Sequence, residues 1–374
     1  MIRFVLLGLS VILLCAQTEP VKSAPAQNFA KDISIARVTR VLETAKLAGT
    51  ALIAKGDKIV YERAFGAIDP DSDRKHSLGQ VWRYASVTKQ WAATLAMQEV
   101  TAGRLDLDMP LITYLPASKA PFADKITTRM LMQHVSGLPR TEESPLGADQ
   151  WPQFYLRPNG SAGTGMSYCE GSTDRAPIAE FRYGDCDFIV LGAVLEKITG
   201  KSFKVLVAER FIKPLRLKSV GMFPRSSATV VGYEGGKRES PLFRLENFGA
   251  AGALYGTTHD LLRFDRALMT GKLIPDAKRD VMWSGDPKLG FAAFGQWALS
   301  APIKGCGSKP IRFIERRGAI GGVVLRNLIL PDLDVVIIMT SNRAEADAAF
   351  GEIWQQRGVS HDVISAALCA PTAP

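Results

Sequence analysis

Residues 84–89 read YASVTK and open a segment whose apolar positions recur at helical spacing through residue 102. The spacing predicts a helix over residues 86–102 with Ser86 at its start. Ser86 and Lys89 stand three residues apart, so they share one face of that helix. A serine hydroxyl needs an adjacent base to act as a nucleophile, and a partly desolvated lysine can accept its proton. The segment therefore predicts a nucleophile and its partner at a helix N-terminus.

Strand patterns lie on both sides of this helix and predict one sheet interrupted by a helical region. Two strands around a Gly-containing turn are expected within residues 50–66, and the short turn at Pro331-Asp332 implies antiparallel pairing of late strands. The later strands are expected at 290–299, 311–317, 322–330 and 334–341, and the other helices at 29–47, 126–134, 187–199, 257–270 and 344–356.

The order of these elements predicts an α/β fold of the α+β type, an antiparallel sheet flanked by helices with an inserted, mostly helical lobe. Residues 27–80 and 246–374 are expected to form the sheet lobe, and residues 81–245 the insertion. A ligand site is expected in the cleft between the two lobes. The stretch 140–182 is rich in Pro, Gly and Ser, and a loop of that length is usually functional or poorly ordered.

Two further segments carry groups that suit acyl transfer. Residues 183–185 read YGD and lie in a loop directly before the helix expected at 187–199. Residues 316–318 read RRG, end one late strand, and are followed by Ala319. Together with residues 84–89 they would present a nucleophile with a lysine, a tyrosine with a polar partner, and a cationic strand beside a glycine.

These three segments, in this order, resemble the motifs of the serine β-lactamase and penicillin-binding-protein superfamily. The chain is most similar to the branch that holds class C β-lactamases, D-alanyl-D-alanine carboxypeptidases and related esterases. The resemblance covers roughly residues 30–357. Its supporting stretches lie at 103–108, 114–116, 130–139, 192–200 and 252–257.

The resemblance implies an acyl-enzyme mechanism with a small-molecule or peptide substrate, anionic substrates included. Ser86 would attack a carbonyl, while Lys89 and Tyr183 would share the proton transfers. The backbone N–H groups of Ser86 and Ala319 would form the oxyanion hole. Water would then hydrolyse the ester, and neither a metal nor an organic cofactor is required.

Departures from the family's pattern bear on the substrate, which Asp185, Arg316, Arg317 and Gly318 are expected to contact. Asp185 stands where the family usually has Asn, and an ionised carboxylate accepts hydrogen bonds but cannot donate to a substrate amide. Arg316 keeps the cation of the third motif and could bind a carboxylate through two N–H groups. Arg317 is large where the family has a small residue. These departures question β-lactam or D-Ala-D-Ala specificity and leave an alternative open, a non-catalytic relative that binds cell-wall peptide or a partner protein.

The N-terminus predicts a secretory signal peptide over residues 1–26. A short basic start precedes an apolar run from Phe4 to Ala16, which is shorter than the about 20 residues of a membrane span. Ala24-Pro25-Ala26 then fits a small-residue cleavage site. We therefore expect an exported protein, periplasmic or secreted, without a stable membrane span after cleavage; a buried N-terminal helix or a retained anchor is the alternative.

Charge and cysteine content fit this compartment. The formal net charge of +9 would fit a nucleic-acid-binding protein, but the basic residues are dispersed and the protein is expected to be exported. No nucleic-acid partner is therefore expected. Four cysteines would remain in the mature chain, and they allow three complete pairings. Given the resemblance, Cys186 beside the tyrosine motif could bridge to Cys169 and shape the rim of the site.

Motifs of other hydrolase classes are missing from the sequence. It contains no Gly-x-Ser-x-Gly elbow of an α/β-hydrolase and no His-Glu-x-x-His metal motif. The four histidines are dispersed along the chain. His134 lies within one of the family-like stretches and is interpreted as structural rather than catalytic.

Overall fold

The computed structural model describes residues 29–370, except residue 31 and segments 148–149, 157–164, 172–176, 178–179 and 225–228. The signal peptide expected over residues 1–26 lies outside the described residues. Within them, seven strands form one antiparallel sheet in the order β2-β1-β12-β11-β10-β9-β8. The strands are β1 (Gly49–Lys55), β2 (Lys58–Phe65), β3 (Trp82–Arg83), β4 (Gly221–Met222), β5 (Tyr233–Glu234), β6 (Lys237–Arg238), β7 (Leu254–Gly256), β8 (Ala292–Ala293), β9 (Gln296–Ala301), β10 (Ile311–Ile320), β11 (Val323–Leu330) and β12 (Val335–Ser341).

Helices cover both faces of this sheet. The α-helices of the described residues are α1 (Ile35–Thr44), α2 (Thr88–Thr101), α3 (Leu111–Tyr114), α4 (Thr128–Met132), α5 (Met166–Cys169), α6 (Cys186–Thr199), α7 (Phe203–Val207), α8 (Lys213–Leu215), α9 (Gly249–Gly252), α10 (Thr258–Met269), α11 (Asp276–Met282), α12 (Ala346–Phe350) and α13 (Val359–Leu368). The expected α/β architecture, an antiparallel sheet flanked by helices, is confirmed.

The sheet separates two hydrophobic cores because successive side chains of a strand point to opposite faces. On β12, Ile337 belongs to the core under α1 and α13, together with Val38 and Val363. Its neighbour Ile338 belongs to the larger core formed with α2 and α6. Strands that are buried on both faces read as continuous apolar runs, which is the pattern of β12.

The hairpin between β8 and β9 brings the sheet edge against α2. The sequence predicted one strand over 290–299, but Gly295 turns the chain with a φ of 75°. A Cβ atom at Gly295 would lie 2.7 Å from the carbonyl oxygen of Lys89, so only glycine fits this approach. The turn thereby positions β9 next to the helix that carries the predicted site.

The three-stranded sheet β3-β7-β4 links two parts of the chain that were assigned to different lobes. β7 follows residue 246, whereas β3 and β4 belong to the proposed insertion at 81–245. The division into a sheet lobe and an inserted lobe stays a prediction. The pairing of β7 with both strands shows that the two regions share backbone hydrogen bonds.

Two disulfide bonds choose one of the three possible pairings. Cys169 bridges to Cys186, with 5.3 Å between their Cα atoms, and Cys306 bridges to Cys369, with 4.6 Å. The first bridge joins the end of α5 to the first residue of α6, as the sequence suggested. The second ties the segment after β9 to the end of α13.

Among the described residues, no helix is both long and apolar enough to cross a bilayer. In the same ranges, no three side chains of His, Cys, Asp or Glu cluster in a way that could hold a metal ion.

Candidate active site

Ser86 occupies a tight turn at the mouth of the site. It is the middle residue of the 3₁₀ turn Ala85–Val87, which leads directly into α2. Ala85 has a φ of 44°, in the left-handed region that residues other than glycine rarely adopt. Such strain is typical of functional sites that the surrounding structure holds in place. Ser86 is partly exposed, while the residues on either side of it are buried.

Lys89 is fully buried and makes three hydrogen bonds with its ammonium group. Its Nζ donates to Asp185 Oδ1 at 2.5 Å, to the carbonyl of Ala251 at 3.0 Å and to Ser86 Oγ at 3.1 Å. A buried ammonium group needs an acceptor for each N–H, and the site supplies three. Lys89 is therefore held in contact with the predicted nucleophile.

Tyr183 approaches Ser86 from the loop before α6. Its hydroxyl donates to Ser86 Oγ at 2.6 Å and accepts from Arg316 Nη2 at 2.6 Å. The Lys89 ammonium group lies 4.9 Å from the centre of the tyrosine ring. The phenol oxygen thus lies between the nucleophile and a fixed cation, with a second cation over its ring.

The Asp185 carboxylate contacts the protein's own donors rather than the open cleft. Oδ1 accepts from Lys89, and Oδ2 accepts from the Thr141 hydroxyl at 3.0 Å. The residue is only 5% exposed. Burial and these two bonds position Asp185 to hold Lys89, and its expected contact with substrate stays a prediction. Thr141 was not predicted, since the long stretch 140–182 offers no periodicity or motif that would mark it.

Arg316 and Arg317 have separate partners, as neighbours on a strand do. Arg316 Nε donates to the carbonyl of Ser86 at 2.7 Å, in addition to its bond with Tyr183. Two of its guanidinium nitrogens are thereby engaged within the site, and the expected two-point binding of a substrate carboxylate stays a prediction. Arg317 instead donates two hydrogen bonds to the Glu352 carboxylate, at 2.7 and 2.6 Å, and two more to Glu315. Its expected contact with substrate stays a prediction.

Gly318 and Ala319 bring the edge of β10 against the serine turn. A Cβ atom at Gly318 would lie 2.4 Å from the carbonyl oxygen of Tyr84, so the close approach requires glycine. Pairing of β10 with β9 ends at Glu315, whereas pairing with β11 continues to Ile320. Ala319 is exposed on this stretch. An oxyanion hole formed by the N–H groups of Ser86 and Ala319 stays a prediction, and it suits this open strand edge.

A buried polar pair supports Tyr183 from behind. The ring of His134 lies 4.6 Å from the tyrosine ring, and its Nδ1 lies 2.9 Å from Asp187 Oδ2. Ser136 donates to the other oxygen of the same carboxylate. Burial and the positive charges of Lys89 and Arg316 hold the pKa of His134 well below its ordinary value, while burial raises the pKa of Asp187. The neutral ring of His134 is therefore favoured, and it packs against Tyr183 without adding a positive charge. This is the behaviour expected of a structural histidine.

Trp297 on β9 also belongs to the site, although no motif marked it. Its ring stacks on that of Tyr183 at 6.4 Å with an angle of 21° between the planes. The guanidinium carbon of Arg316 lies 5.2 Å from its centre. The sequence predicted the strand, but it did not predict that a side chain near the start of β9 would stack on Tyr183.

The family model for β-lactamases matches residues 35–359. The chain belongs to the β-lactamase family. Like other proteins of this family, it is a hydrolase, and its relatives include penicillin-binding proteins and esterases. It is 24% identical over 330 residues to penicillin-binding protein 4 of Amycolatopsis lactamdurans, an alignment that covers 82% of this chain and 84% of the relative.

Two other similarities concern an esterase and a solved structure. The β-lactamase-family chain is 29% identical to esterase EstB of Burkholderia gladioli over 199 residues, which is 49% of each protein. The crystal structure of a D-amino acid amidase from Ochrobactrum anthropi, complexed with L-phenylalanine amide, superposes with a TM-score of 0.71 over 88% of this chain and 98% of the amidase. Their sequence identity is 17%, so that similarity shows the shared fold.

Proposed function

We propose that the protein is an exported serine hydrolase that cleaves an ester, amide or β-lactam bond through an acyl-enzyme on Ser86. One observation carries this proposal. Ser86 Oγ lies 2.6 Å from the Tyr183 hydroxyl and 3.1 Å from Lys89 Nζ, so the nucleophile contacts both groups that could move its proton. A nucleophile and base within such distances are the structural signature of covalent catalysis.

Acylation starts from the phenolate form of Tyr183, whose proton has passed to solvent water. Arg316 and Lys89 stabilise the negative charge of that phenolate. Ser86 then gives its proton to the Tyr183 oxygen while Oγ forms a bond to the substrate carbonyl carbon. The carbonyl electron pair moves onto oxygen, which the N–H groups of Ser86 and Ala319 receive. The intermediate collapses, the bond to the leaving group breaks, and Tyr183 returns the proton to that group.

Deacylation repeats these steps with water in place of the serine. Water gives a proton to Tyr183 and attacks the acyl carbon, and the tetrahedral intermediate expels Ser86 Oγ, which takes the proton back. Lys89 contacts Oγ throughout and stabilises its negative charge. A positioned base of this kind contributes about 10²- to 10⁴-fold to the rate.

The surroundings of Asp185 favour esters and simple amides over β-lactams with an acylamino side chain. An acylamino side chain would need a hydrogen-bond donor for its carbonyl at this position, but the Asp185 carboxylate only accepts, and both of its oxygens have partners within the protein. The relative named as an esterase supports this substrate class. The preferred substrate is therefore an ester or a simple amide.

Two features support export to the periplasm or the exterior. Disulfide bonds persist in oxidising compartments and are rare in the cytosol, and this chain has two. The apolar segment that begins at Phe4 fits a signal peptide. Fractionation of the producing cell, with the N-terminus of the exported form sequenced, tests both points.

Covalent labelling tests the catalytic proposal. A fluorophosphonate probe should label the wild-type protein, and a Ser86→Ala variant should lose both labelling and hydrolysis of p-nitrophenyl acetate. Ser77→Ala serves as the control, because Ser77 is exposed and lies outside the site. Short nitrophenyl esters, amino acid amides, D-alanyl-D-alanine peptides and a chromogenic cephalosporin are assayed in parallel. Absence of labelling at every pH, with ligand binding retained in Ser86→Ala, would establish the non-catalytic alternative instead.

A further inference from the structure

A cavity of about 300 Å³ lies along β9 and β10, on the face of β10 that carries Arg317. Its apolar wall consists of Trp297, Phe291, Trp354 and Leu299. Gly290, Glu315, Arg317 and Glu352 complete the lining. The cavity, here called the Trp297 cavity, has no part in the proton transfers described above.

Two of the aromatic side chains that line the cavity are exposed to solvent. Trp354 is 55% exposed and Phe291 is 39% exposed, and no other Phe or Trp of the described chain reaches such exposure. Exposed apolar side chains that converge on one concave surface commonly mark a binding site. Their convergence here is the first indication of a ligand.

Contacts and backbone conformation position both rings. The indole N–H of Trp354 donates to Glu352 Oε2 at 3.1 Å, and the same carboxylate is fixed by Arg317. Phe291 has a φ of 64°, in the left-handed region that is strained for a bulky residue. Strained residues cluster at active sites and ligand-binding surfaces.

Trp297 connects this cavity to the catalytic residues. Its ring lies between two guanidinium groups, 5.2 Å from that of Arg316 and 5.6 Å from that of Arg317. The same ring stacks on Tyr183, whose hydroxyl contacts Ser86. A substrate whose carbonyl reaches Ser86 therefore has the Trp297 cavity one indole ring away.

The charged groups of the cavity neutralise one another. Arg317 is paired with Glu315 and Glu352, and Glu315 is also paired with the buried Arg326. A substrate carboxylate would meet Glu352 and Glu315 beside Arg317, so charge gives it no advantage. The aromatic walls instead favour an uncharged ring or a branched aliphatic chain.

We propose that the Trp297 cavity is a specificity subsite for an uncharged aromatic or branched aliphatic group of the substrate, attached next to the bond that Ser86 cleaves. This inference rests on the proposed hydrolase function and names the substrate class of the same site. It also explains why a large residue at position 317 is compatible with the fold. Arg317 builds the floor of the subsite rather than crowding the serine.

Kinetics on matched esters test the subsite. On the acyl side, p-nitrophenyl acetate is compared with p-nitrophenyl 3-phenylpropanoate; on the leaving-group side, ethyl acetate is compared with benzyl acetate. The wild type should prefer the phenyl-bearing member of at least one pair. Trp354→Ala and Phe291→Ala should each reduce that preference about tenfold, mainly through KM, because loss of a hydrophobic pocket contact has about this effect. Hydrolysis of the small esters should stay within twofold of wild type.

Ile112→Ala is the matched control, since Ile112 is exposed on α3 and does not line the cavity. An equal loss on small and phenyl-bearing esters, or no loss on either, would overturn the subsite. If the wild type cleaves no ester in a Ser86-dependent manner, the proposed function fails, and the cavity is judged by binding alone. Equilibrium dialysis of 3-phenylpropanamide would then show weaker binding to Trp354→Ala than to wild type if the subsite exists, and equal binding if it does not.

Discussion

The Arg316 guanidinium group donates to the Tyr183 hydroxyl at 2.6 Å, and through a second nitrogen to the carbonyl of Ser86 at 2.7 Å. One buried cation therefore fixes the base and the backbone of the nucleophile at the same time. The residue comes from β10, whereas Tyr183 precedes α6, so the bond joins segments more than a hundred residues apart in sequence. It places a permanent positive charge where negative charge develops during the reaction.

Arg316→Met should lower kcat/KM for p-nitrophenyl acetate by about 10²- to 10³-fold, the usual cost of removing one electrostatic stabiliser of a transition state. Arg316→Lys should lose less, because a single ammonium group keeps the charge but cannot span both acceptors. Arg312→Met on the same strand is the control, since Arg312 contacts the carbonyl of Trp283 outside the site. Equal activity of Arg316→Met and wild type, with both folded by circular dichroism, would exclude Tyr183 as a base that depends on this cation.

Asp185 is expected to matter for stability, because Lys89 is fully buried and has this carboxylate as its charged partner. Asp185→Ala should lower the free energy of unfolding by about 3–5 kcal/mol, the cost of leaving one charge of a buried pair without its partner. Asp185→Asn should lose less, since its amide oxygen still accepts from Lys89. Urea unfolding measures both, and Glu209→Gln, which breaks the exposed pair with Lys201, should leave the unfolding midpoint unchanged.

Restoring the family's usual asparagine is not expected to give β-lactam turnover. The residue is 5% exposed, and its second oxygen faces Thr141 rather than the cleft. A chromogenic cephalosporin assayed with Asp185→Asn checks this expectation. A clear gain in its hydrolysis would show that residue 185 reaches the substrate and selects it directly.

Local spacing was sufficient to predict the catalytic helix but not its surroundings. Ser86 and Lys89 are one turn apart, so the geometry of a single helix brings them together, and the structure confirms their contact. Thr141 and Trp297 reach the site through contacts distant in sequence. Thr141 lies in a stretch without periodicity, and the strand pattern around Trp297 does not show where that strand packs. The sequence also did not predict that Arg316 and Arg317 would contact groups on opposite faces of the sheet. Strand alternation explains these contacts only once the register of β10 is known.

The C-terminal region shows a different limit of the sequence pattern. One closing helix was expected over residues 344–356, but the structure has α12 and, after a 3₁₀ turn at Ile353–Gln355, the longer α13. Gly351 interrupts the expected helix with a φ of 67°, and a Cβ atom there would lie 2.7 Å from the carbonyl oxygen of Arg357. A glycine inside a helical pattern was the available signal of this break. The apolar residues of α13 pack against α1 and the far face of the sheet.

The two disulfides should differ in their effects. Cys306→Ser combined with Cys369→Ser removes a bridge across 63 residues in the core far from Ser86. This double variant should lose about 2–5 kcal/mol of unfolding free energy while kcat/KM at 20 °C stays within twofold of wild type. Urea unfolding and ester hydrolysis on the same preparations measure the two quantities.

Cys169→Ser combined with Cys186→Ser removes a bridge across 17 residues that ends beside Asp185. Because this bridge closes a shorter loop, its removal should cost less unfolding free energy than removal of the other bridge. Its removal should also lower kcat, because Cys186 is the first residue of α6 and Tyr183 and Asp185 directly precede that helix. The two double variants are each other's control. Equal activity losses in both would mean that the bridge at α6 does not position the site.

Asp265 should make stability depend on pH in a direction opposite to that of an ion-paired carboxylate. Burial raises its pKa to about 7, although Gln90 and Asn327 donate to its Oδ1 at 2.8 and 3.1 Å. The Asp265 carboxyl group has a pKa of about 3.9 in the unfolded chain. Its contribution to the free energy of unfolding is therefore fully present below pH ~4 and is lost as pH rises through about 7.

Asp265→Asn keeps the hydrogen-bond acceptor and removes the titration. Its unfolding free energy relative to wild type should therefore rise by on the order of 1 kcal/mol or more between pH 5 and pH 8. Urea unfolding at both pH values measures this difference, with exposed Asp124→Asn as the control; parallel pH profiles of wild type and Asp265→Asn would show that the buried carboxyl does not titrate in this range.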